Sequence, residues 1–325
     1  MPAPALIDAH VHMVGNGRAG SGGWLRLSGW HRWLAGFMVR QLGLSEAALE
    51  GDLESIYAGH LLRLVLESSL DHVVLLAHER VHDPDGTPRD DLGSMFVPNH
   101  VVLDLARANS EFLAGVSIHP ARRDALDELD RCVANGAVLM KCLPNCQNID
   151  LSDPRYRRFW ERMAAAKLPL LAHTGGEHTV PVIDAKLADP KRLRLPLECG
   201  VTVIAAHCAT RSGLFERDYF SDWVKLLREF PNLYGDSSAM VSLNRCGHLR
   251  DCLAPEIAPR IVHGSDFPVP VLGHRLWLQG WIDRETFRRC QRIKNPLERD
   301  WQFKQALGFP VETASRVSDL LRLSR

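Results

Sequence analysis

The sequence predicts an α/β fold, a (β/α)8 TIM barrel in a single domain, on three observations. Short apolar runs alternate with stretches of helical spacing along the chain. Eight such runs can be read, and from the third onward their starts lie roughly 25–33 residues apart, the length of one strand, one helix and two loops. At 325 residues the chain suits one barrel with insertions better than two domains.

The first strand is read over residues 5–13, where strict alternation would put Asp8, His10 and His12 on one face and Ile7, Ala9 and Val11 on the other. An insertion follows at about residues 13–52. Its Gly-rich start, Gly15 to Gly23, leads into Trp24, Trp30 and Trp33. Placed directly after His12, it is either a lid over the barrel mouth or a segment packed on the barrel side or at a subunit contact. A helix is expected around Leu53 to Leu70, then strands over 72–78, 112–119, 137–141, 169–173, 201–207, 232–236 and 260–266. Helices are expected between them. Asp124 to Asn135 opens on an acidic turn and stops at Asn135-Gly136, and Pro154 to Lys167 and Asp218 to Phe230 carry apolar residues at helical spacing. Pro268 and Pro270 end the last strand, and a helical tail occupies about residues 272–325.

Composition narrows the partners. Lys+Arg and Asp+Glu balance at 39 each, and no basic stripe interleaves with aromatics, so a nucleic-acid partner is not expected and a small-molecule substrate is. No apolar run approaches the roughly 20 residues of a membrane span. No charged-then-apolar leader precedes the first strand. Eight scattered cysteines without a CxxC pair suit reduced thiols, and the expectation is a cytoplasmic protein. Cys142, Cys146 and Cys208 are expected as small core residues. A homo-oligomer is compatible with such a fold, with no interface specified.

A metal-capable residue stands at or beyond the carboxyl end of most strands: His12, His78, His119, Lys141, His173, His207, Asp236 and Asp266. In a (β/α)8 barrel those ends converge on one face, where active sites form. His10, His12, His173, His207 and Asp266 make a His/carboxylate donor set for a catalytic cation, whereas His78, His119 and His263 are not expected as ligands. Lys141 ends an apolar strand, where burial should favour its neutral amine. That amine would react with carbon dioxide to give a bridging carbamate, stay protonated and bind a substrate carboxylate, or pair with Asp236.

His-x-His on the first strand, Lys on the fourth, His on the fifth and sixth and Asp on the eighth resembles the amidohydrolase superfamily of metal-dependent barrels. Residues 6–12 (LIDAHVH), 171–177 (LAHTGGE) and 263–268 (HGSDFP) resemble most the amidohydrolase-related branch that includes the aminocarboxymuconate semialdehyde decarboxylases. In one-metal members of that branch the ligands correspond to His10, His12, His173 and Asp266, with His207 catalytic or at a second metal. Lys141 departs from those members and matches the two-metal hydrolases, in which the lysine is carbamylated.

The resemblance therefore implies one or two divalent ions, zinc first, with manganese, iron or cobalt suited to the same donors. With two ions, His10, His12 and Asp266 would hold one, His173 and His207 the other, and Lys141 would bridge. The implied reaction is water attack on a C–N or C–O bond of a small amide, lactone or ester, Asp266 accepting the proton; a single-metal decarboxylase or hydratase is the alternative. Asp8 would orient an imidazole or serve as a strand-level polar contact. Glu177 and His178 would reach substrate or lie in a solvated loop. Arg211 and Asn145 would bind an anionic or carbonyl group or take surface roles.

Overall fold

The computed structural model describes residues 4–27, 29, 36, 49–213 and 216–323. Trp30 and Trp33, two of the three tryptophans of the expected cluster, lie outside them. Eight parallel strands follow one another in sequence order around one sheet: β1 (Ile7–His12), β2 (His72–Leu76), β3 (Phe112–Val116), β4 (Leu139–Cys142), β5 (Leu170–Ala172), β6 (Val203–Ala205), β7 (Leu233–Asp236) and β8 (Ile261–Val262). The barrel closes between β8 and β1, where Ala9 N donates to His263 O at 3.0 Å and His12 N to Phe267 O at 2.9 Å. This is the (β/α)8 architecture that the alternation predicts.

The expected face assignment in β1 is wrong. Its pairing with β2 slips between Asp8 and Val11, so β1 carries a bulge with one extra residue. Before the slip, Ile7 and Ala9 point into the barrel and pack with Val74, Leu76, Leu139, Leu171, Ile204 and Val262. After it, Val11 points outward to the layer holding Leu61 and Leu64 of the helix Leu53–Leu66. Strict alternation would have made Ile7, Ala9 and Val11 neighbours. The bulge lets Ala9 fill the interior while His10 and His12 both turn to the mouth.

Several strands are also shorter than the apolar runs. The sixth run was expected to remain a strand to His207 and the eighth to Asp266, but the ladder stops at Ala205 and Val262. His207, Cys208 and Ala209 have φ of 60°, 49° and 57°, and Asp266 has φ of 65°. Left-handed residues cannot continue a ladder, and they aim the functional side chains differently from a strand.

The helices Ala125–Ala134, Arg157–Ala165 and Phe220–Glu229 stand where the sequence predicts, each turning an apolar face to the barrel. The tail is helical over His274–Leu278, Arg284–Gln291, Pro296–Leu307, Glu312–Ser315 and Val317–Leu320. Val317 and Leu321 join the interior cluster, and Arg322 N donates to Val138 O at 3.1 Å, so the tail covers the amino-terminal end of the barrel. At the opposite end, Trp24–Leu25 of the insertion pairs antiparallel with Met95–Phe96 of the loop after β2. Glu54 roots the insertion by accepting from Gly17 N and Ser21 Oγ, both at 2.8 Å. Gly17 has φ of 73° and faces Gly23 O so closely that no Cβ fits there. No helix among the described residues is long and apolar enough to cross a membrane.

Candidate metal centre

The bulge in β1 and the turn after β8 bring three donors tip to tip. His10 Nε2 lies 3.2 Å from His12 Nε2, and Oδ1 of Asp266 lies 3.1 Å from the first and 3.3 Å from the second. Backbone bonds hold the pieces: Asp266 N donates to His10 O at 2.9 Å, and Tyr57 Oη to His12 O at 2.8 Å. Below His10 the chain needs Gly264, because a Cβ there would meet His10 Cβ at 2.8 Å and Ser238 Cβ at 3.2 Å. His10, His12 and Asp266 form a group whose ligand atoms all lie within 4.8 Å of one another. In a tetrahedral site with metal–donor bonds of about 2.0–2.1 Å, neighbouring donors stand about 3.3–3.4 Å apart, so this triangle fits a divalent cation.

Asp236, at the end of β7, organises the next layer. Its Oδ2 lies 2.7 Å from His10 Nδ1, and its Oδ1 accepts from His207 N at 2.7 Å and Ser238 N at 3.1 Å. Burial pushes the Asp236 carboxyl up, but His10, His207 and Ser238 outweigh it and hold the group well below the usual carboxylate range. An ionised carboxylate only accepts, so His10 carries its proton on Nδ1 and turns the Nε2 lone pair to the triangle. Asp266 behaves alike: burial raises it, His10, His12 and Lys141 outweigh that, and it stays ionised. Burial lowers the His10 and His207 pKa values and brings His173 down to about 3, so these imidazoles are neutral donors.

Lys141 Nζ stands 3.0 Å from His10 Nε2, fully buried, and burial lowers its pKa. His10 is thus the hydrogen-bond partner of the amine that the expected pairing assigned to Asp236. His207 Nε2 faces Asp266 Oδ2 at 4.0 Å, and its Nδ1 is fixed by Ser238 O at 2.9 Å. His173 packs edge-on against His207, with ring centroids 5.1 Å apart, and its Nε2 is 3.2 Å from Gly176 O. Glu177 is buried beside it, with Oε2 3.6 Å from His173 Nδ1. The six residues expected as ligands thus share one pocket of side chains, of which His10, His12 and Asp266 make the tight donor triangle.

The remaining expected site residues spread out. His178 is largely exposed and pairs with Glu216 at 3.3 Å, and Arg211 is half exposed with Asp218 at 4.0 Å. Asn145 is buried, its backbone oxygen accepts from Ile183 N at 2.8 Å, and its side-chain Oδ1 has no hydrogen-bond partner among the described residues. Asp8 makes the strand-level contact: its Oδ1 accepts from His10 N at 2.9 Å and Ser265 N at 3.0 Å, tying β1 to the turn after β8. Asp236, not Asp8, orients the imidazole. His119 bonds Gln147 O at 3.0 Å and His263 packs on Trp301, whereas His78 borders the cavity at the mouth. All eight cysteines are free, and Cys142, Cys146 and Cys208 are buried.

The amidohydrolase sequence profile matches residues 7–298, which includes the whole donor triangle. The chain belongs to the amidohydrolase family. Family membership implies an enzyme and leaves its reaction open. Among solved structures, this chain is similar to an uncharacterized TIM-barrel protein from Bordetella bronchiseptica (TM-score 0.62, 16% identity, covering 97% of this chain and 98% of that one). A candidate 2-pyrone-4,6-dicarboxylic acid hydrolase from Pseudomonas putida matches at TM-score 0.55 and 16% identity, over 98% and 99% of the chains. A candidate amidohydrolase from Staphylococcus aureus matches at TM-score 0.52 and 11% identity, over 98% and 99%. At these identities the likeness shows the fold. A search of curated proteins finds no significant match.

Two residues beside the donors escaped the sequence reading. Arg245, from the loop after β7, is buried and donates to Thr210 O at 3.0 Å and to Gly176 O, joining the loops after β5 and β6. Nothing around an arginine in an irregular loop marks it in sequence. Tyr57 sits at helical spacing among apolar residues and reads as core until its hydroxyl is seen to reach His12.

Proposed function

We propose that this chain is a metal-dependent hydrolase that cleaves a C–N or C–O bond of a small amide, lactone or ester. The observation that carries the reading is the triangle of His10 Nε2, His12 Nε2 and Asp266 Oδ1, three potential ligand atoms held 3.1–3.3 Å apart. The lone pair of His10 Nε2 and the ionised Asp266 Oδ1, 3.1 Å apart, repel one another unless a cation or a proton stands between them. A bound divalent ion, zinc foremost and manganese, iron or cobalt after it, would supply Lewis acidity and a more acidic water.

The chain's own residues supply the proton chemistry. Asp266 has one oxygen in the triangle and Oδ2 toward His207, so Oδ2 is placed to take a proton from water and return it to the leaving group. His207 holds its own proton at Nδ1 against Ser238 O, which leaves Nε2 as a neutral acceptor facing the same space. Burial shifts Lys141 toward its neutral amine, the form that attacks carbon dioxide: the new N–C bond would release one proton and leave an anionic carbamate beside His10. With that group as a bridge, His173 and His207 would serve a second ion. Glu177, 3.6 Å from His173 Nδ1, is one of the proposed substrate-facing residues, with His178, Arg211 and Asn145. Free cysteines are compatible with work in the cytoplasm.

A second reading, a single-metal decarboxylase or hydratase, is favoured by one feature. His173 Nε2 is turned to Gly176 O, and among the described residues only one group of donors is tight enough for an ion. Assay of metal-loaded protein against small amides, lactones and esters separates the two readings. Acid release without carbon dioxide supports hydrolysis. Carbon dioxide release or reversible hydration, with one metal and an unmodified Lys141, supports the lyase.

A further inference from the structure

The space next to the donor triangle has a character of its own. A cavity of about 140 Å³ opens onto His12 and Asp266. Its walls are Val14, Leu25 and Leu27 from the insertion side, Met95 from the loop after β2, Leu143 after β4 and Val180 after β5. No lysine or arginine lines it among the described residues. Its one other imidazole, His78, is driven by burial to a pKa of about 3 and carries no charge. Arg245 is spent on the carbonyls of Thr210 and Gly176.

These walls discriminate by charge. An apolar group entering the cavity gains about 25 cal/mol for each Å² of surface withdrawn from water. An anionic group seated among Leu25, Met95 and Val180 would be desolvated with no lysine or arginine beside it, a cost of several kcal/mol. The size sets a further limit, since an engineered apolar cavity of about 150 Å³ takes one benzene.

We propose that the substrate of this site carries an uncharged, apolar side group no larger than about one six-membered ring, seated between Leu25, Met95 and Val180, with its scissile bond over His12 and Asp266. The proposal rests on the hydrolase reading for the position of the scissile bond, and on the cavity walls alone for the side group. The ladder of Trp24–Leu25 with Met95–Phe96 is the specificity element, because it contributes Leu25 and Met95 and belongs to no part of the donor set.

The test compares a pair of probes, benzyl alcohol and para-sulfobenzyl alcohol, whose sulfonate is charged but a poor metal ligand, by calorimetric titration into the metal-loaded protein. Benzyl alcohol is expected to bind at least tenfold more tightly. Met95→Arg and Leu25→Arg, both at partly exposed positions, are expected to weaken benzyl alcohol and narrow or reverse the preference while circular dichroism stays that of the wild type. Equal or tighter binding of the sulfonate, or no binding of benzyl alcohol, overturns the proposal. Turnover of methyl benzoate against its para-carboxylate analogue is read separately. If benzyl alcohol binds as expected while no ester, amide or lactone is cleaved, the hydrolase reading fails and the apolar subsite stands. If esters are cleaved with preference for the carboxylate, the hydrolase reading stands and the apolar subsite fails.

Discussion

His10 and Asp236 form the hinge of the site: the Nδ1 of the imidazole lies 2.7 Å from Oδ2 of the carboxylate, and both side chains are fully buried. One contact fixes the ring's tautomer, its orientation and the direction of its free lone pair. The same carboxylate receives the backbone N–H of His207, so one residue aligns two members of the pocket. Asp236→Ala is expected to lower zinc affinity about 10–100-fold, the usual effect of losing the partner that orients a metal-binding histidine. Competition against a chelating dye measures it; unchanged affinity would show that His10 needs no such support.

Gly264 gives a steric test. Its missing Cβ leaves room for His10 and Ser238, so Gly264→Ala overpacks the floor of the site and should cost about 1–3 kcal/mol of stability. Urea unfolding reads the loss, and zinc binding should weaken with it. A variant as stable as the wild type, with full zinc affinity, would mean that the floor is soft.

Lys141 is a buried amine whose side-chain hydrogen bond goes to His10. Burial lowers the amine's pKa, so desolvation of the charged form opposes folding, and Lys141→Met, of similar length and without the charge, should keep or raise the melting temperature. Activity should fall at least tenfold. In the wild-type protein, a mass measurement under non-acidic conditions should find Lys141 heavier by one carbon dioxide. A melting temperature that falls steeply would instead make the lysine a structural member.

His119 predicts a pH effect distant from the donors. Burial brings its pKa from the ordinary 6.5 to about 3, and its ring bonds Gln147 O while accepting from Ala121 N. Between those two values the unfolded chain binds the proton and the folded chain does not. Its share of stability is therefore lost as pH drops below about 6.5, by about 1.4 kcal/mol per pH unit for one proton. Urea midpoints at a series of pH values should show a shallower acid slope in His119→Gln than in the wild type. Parallel slopes would place the proton elsewhere.

The fold was legible because burial is written into each strand: Val73–Leu76, Leu168–Ala172 and Val201–Ala206 are near-continuous apolar runs, as strands covered on both faces must be. The donors were legible because chemistry-bearing residues cap those runs. The bulge in β1 was not, since an extra residue between Asp8 and Val11 leaves the apolar–polar alternation looking regular. The left-handed turns at His207 and Asp266 were hidden for a related reason: neither residue is a glycine, so nothing local announces the conformation. The importance of Asp236 depends on a contact with His10, 226 positions away. Pairings at that range are set by barrel closure, not by any nearby pattern. The ladder between Leu25 and Met95 is likewise a tertiary contact between two loops.

The central claim is that His10, His12 and Asp266 hold a divalent cation. Elemental analysis of protein produced with zinc, manganese and iron all available, then dialysed without chelator, tests it directly. The account predicts at least one equivalent of metal per chain in the wild type and its loss in His12→Ala and in Asp266→Ala, each checked to be folded. Wild-type protein with no retained metal, or both variants retaining a full equivalent, would contradict it.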